Sequence, residues 1–242
     1  MTWVCVPTSF ELSCAEYLGS VDDREQTGAV PRFDGFPAES LDFYARLERE
    51  NTRDFWQANK ATYDACVREP MAALLEELAP EFGEASMFRP QRDIRFSKDK
   101  SPYKTYQGGF VAVSPGTGYY VHIDARGLLA GGGFHAHSPE QVHSYRAAVD
   151  AEDRGGMLAG IVGTLEAAAF EVGGEAVKTA PRGYGPDHPR IELLRHKELT
   201  VGRAFGAPPW LSTAAALDEV RLAWRQVRPL NDWLDENVGA PA

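Results

Sequence analysis

Three runs between Tyr106 and His135 constrain this chain most. They are Tyr106–Ser114 (YQGGFVAVS), Gly118–Asp124 (GYYVHID) and Leu128–His135 (LLAGGGFH), each rich in β-branched, aromatic or glycine residues. The turns between them, Pro115-Gly116-Thr117-Gly118 and Asp124-Ala125-Arg126-Gly127, are hairpin-sized. Connections that short leave no room for a crossover helix, so the runs form an antiparallel meander of at least three strands.

The flanks read differently. From Pro37 on, Leu41, Tyr44, Leu47, Phe55, Trp56, Tyr63 and Val67 recur at three- and four-residue spacings, the period of a helix. Asn51-Thr52 breaks the pattern with Thr52 as the next cap, and Pro70 reads as the opening of a third helix that stops near Phe82-Gly83. After the meander, Ser138 caps a helix reaching about Asp150 and a second follows over 156–168. Short strands are expected at Phe170–Val172, Ala176–Lys178 and Glu198–Ala204. The stretch 213–236 is a long amphipathic helix with Leu217, Val220, Trp224, Val227 and Leu230 on one face; Pro229 inside it predicts a kink or a break. Strands in one block with helices before and after make this an α+β chain: a helical hairpin plus one helix, an antiparallel meander, then helices ending in the long one.

At 242 residues the chain buries enough surface to fold without a metal or a disulfide. Its three cysteines, Cys5, Cys14 and Cys66, are scattered, which points to a reducing cytoplasm. No run approaches the length of a membrane span, and residues 1–20 lack the basic residues of a secretory signal. Residues 1–32 read as a poorly ordered appendage, with a solvated linker at 22–31, leaving 33–242 as a single domain. Oligomeric state is not legible.

Charge supplies the functional lead. Arg89–Lys104 holds three Arg and three Lys against two Asp, a local +4 in a chain of −10, which leaves −14 for the rest. A cationic island in an acidic body suits a compact anion bearing phosphate or carboxylate; an extended polyanion is repelled by the surroundings. The expected ligand contacts are Arg92, Arg95, Ser97, Lys98, Lys100, Tyr103 and Lys104. A second polar loop, 179–190, followed by Arg195, His196 and Lys197, adds Arg182, Tyr184 and Arg195 if it folds over the first. Asp93 and His188 are then the weak candidates for proton transfer. Whether such a site is catalytic is open.

Two other readings stand beside this one. The charged string is an internal ion-pair network joining helices to sheet, in which Arg92 and Asp93 are buried and paired; or it clamps nucleic acid, with Tyr103 or Tyr106 stacking on bases, a reading that −10 disfavours. His122, His135, His137 and His143 form a conceivable metal set, but no ligand spacing supports one and no metal is expected. Gly131-Gly132-Gly133 is no dinucleotide fingerprint and marks a bulge or close packing, so no cofactor is expected.

RDIRFSKDKSPYKT (Arg92–Thr105), NTRDFW (Asn51–Trp56), GYYVHI, GGGF and PRGYGPDHP with LLRHK together resemble a family of bacterial and fungal proteins catalogued as domain of unknown function 2461, from about Phe33 to the C-terminus. The resemblance implies the domain limits and supplies no reaction.

Overall fold

The structure, a computed structural model, describes residues 32–93, 95, 99–136 and 138–238. The expected appendage up to residue 31, and with it Ser97, Lys98 and His137, lie outside the described residues.

Phe33 and Phe36 are both about 1% exposed and in edge-to-face contact. Helix α1 (Glu39–Arg49) follows, then α2 (Arg53–Tyr63), capped by the Thr52 hydroxyl accepting from the Phe55 N–H at 3.1 Å. Phe43 of α1 packs on Phe55, Trp56 and Tyr63 of α2, closing the hairpin with an aromatic cluster. Beyond Tyr63 the chain does not start afresh at Pro70. A π-helical turn, Asp64–Arg68, runs directly into α3 (Glu69–Phe82), so 53–82 is one continuous rod. The wider turn lets Glu69 N–H reach the Asp64 carbonyl. The carbonyl that Pro70 has no N–H to serve, that of Cys66, accepts instead from the fully buried Ser40 hydroxyl at 2.6 Å.

The sheet has six antiparallel strands in the order β1-β2-β3-β4-β6-β5: β1 (Ala85–Met87), β2 (Tyr106–Ser114), β3 (Thr117–Asp124), β4 (Gly127–Phe134), β5 (Glu171–Gly173) and β6 (Leu199–Gly206). The expected meander is β2–β3–β4. Ala176–Lys178 is no strand: Gly174, at φ +99°, turns the chain and leaves only a single bridge from Ala176 to His196. Helix α4 (Pro139–Asp150) is capped by Ser138, and α5 spans Glu152–Ala167. A five-residue α6 (Ile191–Arg195) precedes β6, and α7 (Ala215–Val238) closes the fold. Pro229 does not break α7; the helix runs through it because Val227, Leu230, Trp233 and Leu234 on both sides of it are buried.

Alternation along the strands sorts the sheet into two faces. On one, α3 packs Leu75 over Gly109, α7 packs Val227 over Gly132, Tyr119 meets Trp224 at 5.4 Å and Phe134 meets Tyr145 at 6.3 Å. The Trp224 indole N–H donates to the Tyr120 carbonyl at 3.0 Å, and Tyr63 O–H donates to Gln107 at 2.6 Å. Gly132 is small for a reason: a Cβ there would lie 2.5 Å from the Gly118 carbonyl oxygen and 2.9 Å from Val227. The opposite face carries Tyr106 and Gly108 of β2, Tyr120, His122 and Asp124 of β3, and Leu129 and Gly131 of β4, in register with one another.

Candidate functional site

The cationic segment leaves β1, doubles back and enters β2. Phe88 N–H donates to the Gly108 carbonyl (2.9 Å), Lys104 N–H to Pro90 (2.8 Å) and Arg92 N–H to Pro102 (3.0 Å), while Gln91 bridges Tyr103. The root of this hairpin-like loop is fastened to the α1–α2 turn. The Asn51 amide donates to the Tyr103 carbonyl at 2.8 Å and accepts from the Tyr103 N–H at 3.1 Å, and the Tyr103 ring lies flat on Trp56, 4.2 Å between centroids and 8° from parallel. Tyr103 is therefore an anchor rather than the ligand contact expected from sequence: backbone and ring are both engaged, and it is 9% exposed.

Toward the tip, ion pairs form within the loop. Arg95 grips Asp93 through Nε (3.0 Å) and Nη2 (2.6 Å), and Arg92 pairs with Asp99. Asp99 also accepts from the N–H and hydroxyl of Ser101, at 2.9 and 2.6 Å. Hydrogen bonds from Arg95 hold the Asp93 carboxyl down at about 2, and those from Ser101, with Arg92 beside it, hold Asp99 at about 2. Arg92 and Asp93 are only partly buried and take other partners, so the pairs do not join helices to sheet in the way a buried internal network would. Arg95 stands 76% exposed with its fork fixed by Asp93, and Lys100 is exposed.

Beneath the root lies a feature sequence reading did not assemble. Lys104, 5% exposed, extends its ammonium over the rings of Phe88 (5.2 Å) and Tyr106 (5.9 Å). Tyr106 meets His122 at 5.5 Å, His122 meets Tyr120 at 5.3 Å, and Tyr120 meets Phe88 at 5.9 Å, closing a circuit of four rings and one lysine. The strand position inside that circuit is Gly108, paired with His122; a Cβ there would sit 2.6 Å from the Val121 carbonyl oxygen. Glycine is required at that point by the close approach of β3, since the same Cβ would also lie 3.0 Å from the His122 Cβ. His122 is 9% exposed and its Nδ1 is buried without a hydrogen-bond partner among the described residues. Its Nε2 lies 3.8 Å from Asp124, beyond hydrogen-bond reach. Asp124 is built into the β3–β4 turn, accepting from the Arg126 N–H (2.7 Å), the Arg126 guanidinium and the Gly127 N–H. Burial works against its charge, and His122 and Arg126 beside it more than offset this, so the carboxyl sits well below the usual range. The overlooked signal was period-two alternation: Tyr106 and Gly108 on β2, with Lys104 two residues before it, share a face with Tyr120, His122 and Asp124 on β3.

The second polar loop sits elsewhere. Arg190 caps the end of α4 through the carbonyls of Val149 (2.8 Å) and Asp150 (2.9 Å), Tyr145 O–H donates to the Leu193 carbonyl, and Arg146 donates to that of Leu194. His188 accepts the Arg190 N–H at Nδ1 (3.0 Å) and faces Asp150 through Nε2 (3.2 Å), with Tyr184 beside it. Arg195 pairs with Glu192. This loop joins β5 to β6 at the Leu199 end of the sheet, whereas the cationic loop leaves β1 and β2 at the Asp124 end and the other edge. Six strands at about 4.8 Å separate the two edges by roughly 24 Å. Arg182, Tyr184, His188 and Arg195 are thus not brought to Arg92, Asp93 and Arg95; the insertion of β6 between β4 and β5 carries them away. The histidines disperse likewise: His122 pairs with Leu129, six residues along β4 from His135, which lies against Glu198 (3.1 Å). Among the described residues no group of three or more His, Cys, Asp or Glu is placed to hold a metal.

A family model described as "Conserved hypothetical protein (DUF2461)" matches residues 39–233, most of the chain. The chain belongs to this family. No curated protein and no solved structure matches it. No helix among the described residues is long and apolar enough to cross a membrane.

Proposed function

We propose that this DUF2461 protein binds a small phosphate- or carboxylate-bearing molecule where the 89–105 loop meets the face of β2 and β3 that carries Tyr106 and His122. The observation that carries the reading is the charge contrast, a +4 segment in a chain of −10, with Lys104 over the Phe88 and Tyr106 rings at its root. The acidic body around the segment favours a compact anion and keeps larger polyanions away. Arg92, Arg95 and Lys100 form the rim, Lys104 the base, and His122 and Arg126 join the set; Ser97 and Lys98 belong to it by sequence alone. The three scattered cysteines fit a cytoplasmic setting. Of the two rings a nucleic-acid role would stack on, Tyr103 is already covered by Trp56, and the acidic body disfavours the role further.

A thermal-shift screen of inorganic phosphate, sugar phosphates and polycarboxylates tests the proposal, with Lys104→Met and Arg95→Gln in parallel. A ligand at 100 times its dissociation constant adds about 2.7 kcal/mol of stability. A shift lost in both variants supports the reading. A second reading has its own observation, that Asp93 and Asp99 already hold Arg95 and Arg92: the loop is a self-contained structural hairpin. It predicts no shift with any anion and a lower melting point for Arg95→Gln.

A further inference from the structure

We propose that the α1–α2 hairpin carries a second site, a cleft that binds a small zwitterion, an apolar α-amino acid. Its carboxylate sits on Arg46 and Arg49, its ammonium on Glu50 and Asp54, and its side chain against Phe55 and Ala58. The cleft is separate from the anion site at the cationic loop, because Asn51 and Trp56, which fasten that loop, are not among the residues lining it.

The two helices leave between them an open cleft of about 470 Å³. Small-molecule sites run from about 300 to 1,000 Å³. Arg46 and Arg49 of α1 form one wall, Glu50 ends that helix, and Asp54 in the first turn of α2 begins the other wall.

Arg46 is oriented before any ligand arrives. The Asn59 amide donates to the Phe55 carbonyl one turn back (2.8 Å), which fixes its own carbonyl oxygen to accept from Arg46 Nη2 at 2.6 Å. The guanidinium also lies over the Phe55 ring, 5.3 Å from its centroid. Both partners are neutral, so the fork is held while its charge is left for a carboxylate.

The remaining charges of the cleft are open as well. Arg49, Glu50 and Asp54 are exposed, and their side chains make no hydrogen bond or ion pair among the described residues. Elsewhere in this chain opposite charges at helical spacing do close, Lys60 on Asp64, Arg195 on Glu192 and Arg221 on Asp218. Glu50 stands four residues after Arg46 and does not pair with it, since Asn59 holds the guanidinium. Two cations and two carboxylates around one apolar patch repel a simple anion and a simple cation alike, and match a molecule that carries one group of each sign.

The test is an amide NMR titration of the full chain with L-leucine and L-phenylalanine. Each is run beside the matching acid without the amine and the matching amine without the acid, 4-methylpentanoate and 3-methylbutylamine for leucine. At least one of the amino acids should give saturable shifts at Arg46, Asp54, Ala58 and Asn59, and its two comparators should bind about tenfold more weakly, each having lost a charged hydrogen-bonding group. Arg46 also clips α1 to α2, so the decisive variant is Glu50→Gln with Asp54→Asn, which leaves that clip in place. It should keep its melting temperature, lose the preference for the amino acid, and bind the amine-free acid at least as well as wild type. Phosphate should leave these four amides unmoved. No saturable shift with either amino acid, or comparators that bind as tightly as the amino acid, overturns the inference. Phosphate shifts at Arg95 and Lys104 read the other site, so either reading can fail while the other stands.

Discussion

Asn51→Ala tests how the cationic loop is held. Asn51 makes two hydrogen bonds to one residue, 2.8 Å to the Tyr103 carbonyl and 3.1 Å from the Tyr103 N–H, and no other described side chain replaces it there. Each bond is worth about 1 kcal/mol net, and because Tyr103 is nearly buried, truncation strands a backbone donor and acceptor, bringing the loss to about 2–3 kcal/mol. For a domain of this size that lowers the melting temperature by about 5–10 °C. The Trp56–Tyr103 stack remains, so the loop should loosen rather than detach. Calorimetry gives the shift; hydrogen exchange locates it, with faster exchange expected at the Arg92, Tyr103 and Lys104 amides and little change in β3 and β4. A melting temperature within about 1 °C of wild type, with unchanged Tyr103 exchange, would refute the claim that Asn51 fastens the loop.

Three other outcomes follow from the same geometry. Ser40→Ala strands the Cys66 carbonyl that Pro70 leaves without an N–H and should cost about 1–2 kcal/mol by denaturant titration, whereas a null effect would mean the π turn satisfies itself. Gly132→Ala drives a Cβ into the Gly118 carbonyl and Val227 and should destabilise by about 1–3 kcal/mol or more, read as a lower unfolding midpoint; wild-type stability would contradict the close approach of α7 to β4. Asp93 and Asp99 titrate at about 2 in the folded chain, below the ordinary aspartate value, so their contribution to loop order is present above the unfolded value and is lost as pH falls through about 2. Carboxyl carbon NMR should therefore show both still ionised at pH 3, and midpoints near 4 would mean the pairs do not form.

The meander and the helix caps were legible because their signals are local: Thr52 and Ser138 cap the helices their spacing announces, and the two short turns force β2, β3 and β4 to be neighbours. Pro70 and Pro229 misled for one shared reason. A proline removes one backbone donor, and whether the helix stops depends on tertiary partners, Ser40 for the first and the buried face of α7 for the second, that no local pattern displays. The charge island was visible, but its internal pairing Arg92–Asp99 and Arg95–Asp93 depends on how the loop folds back. The separation of the two polar loops depends on where β6 inserts, a non-local choice. The ring circuit lay closer to hand, since His122 and Asp124 in an otherwise apolar strand mark one face of β3 as the polar one.

The most direct measurement of the central claim is an amide NMR titration of the full chain with inorganic phosphate. The account predicts saturable shifts centred on Arg95, Lys104, Gly108 and His122 that vanish in Lys104→Met, with the 181–197 loop unmoved. Absence of any saturable shift, or shifts confined to Arg182, His188 and Arg195, would contradict it.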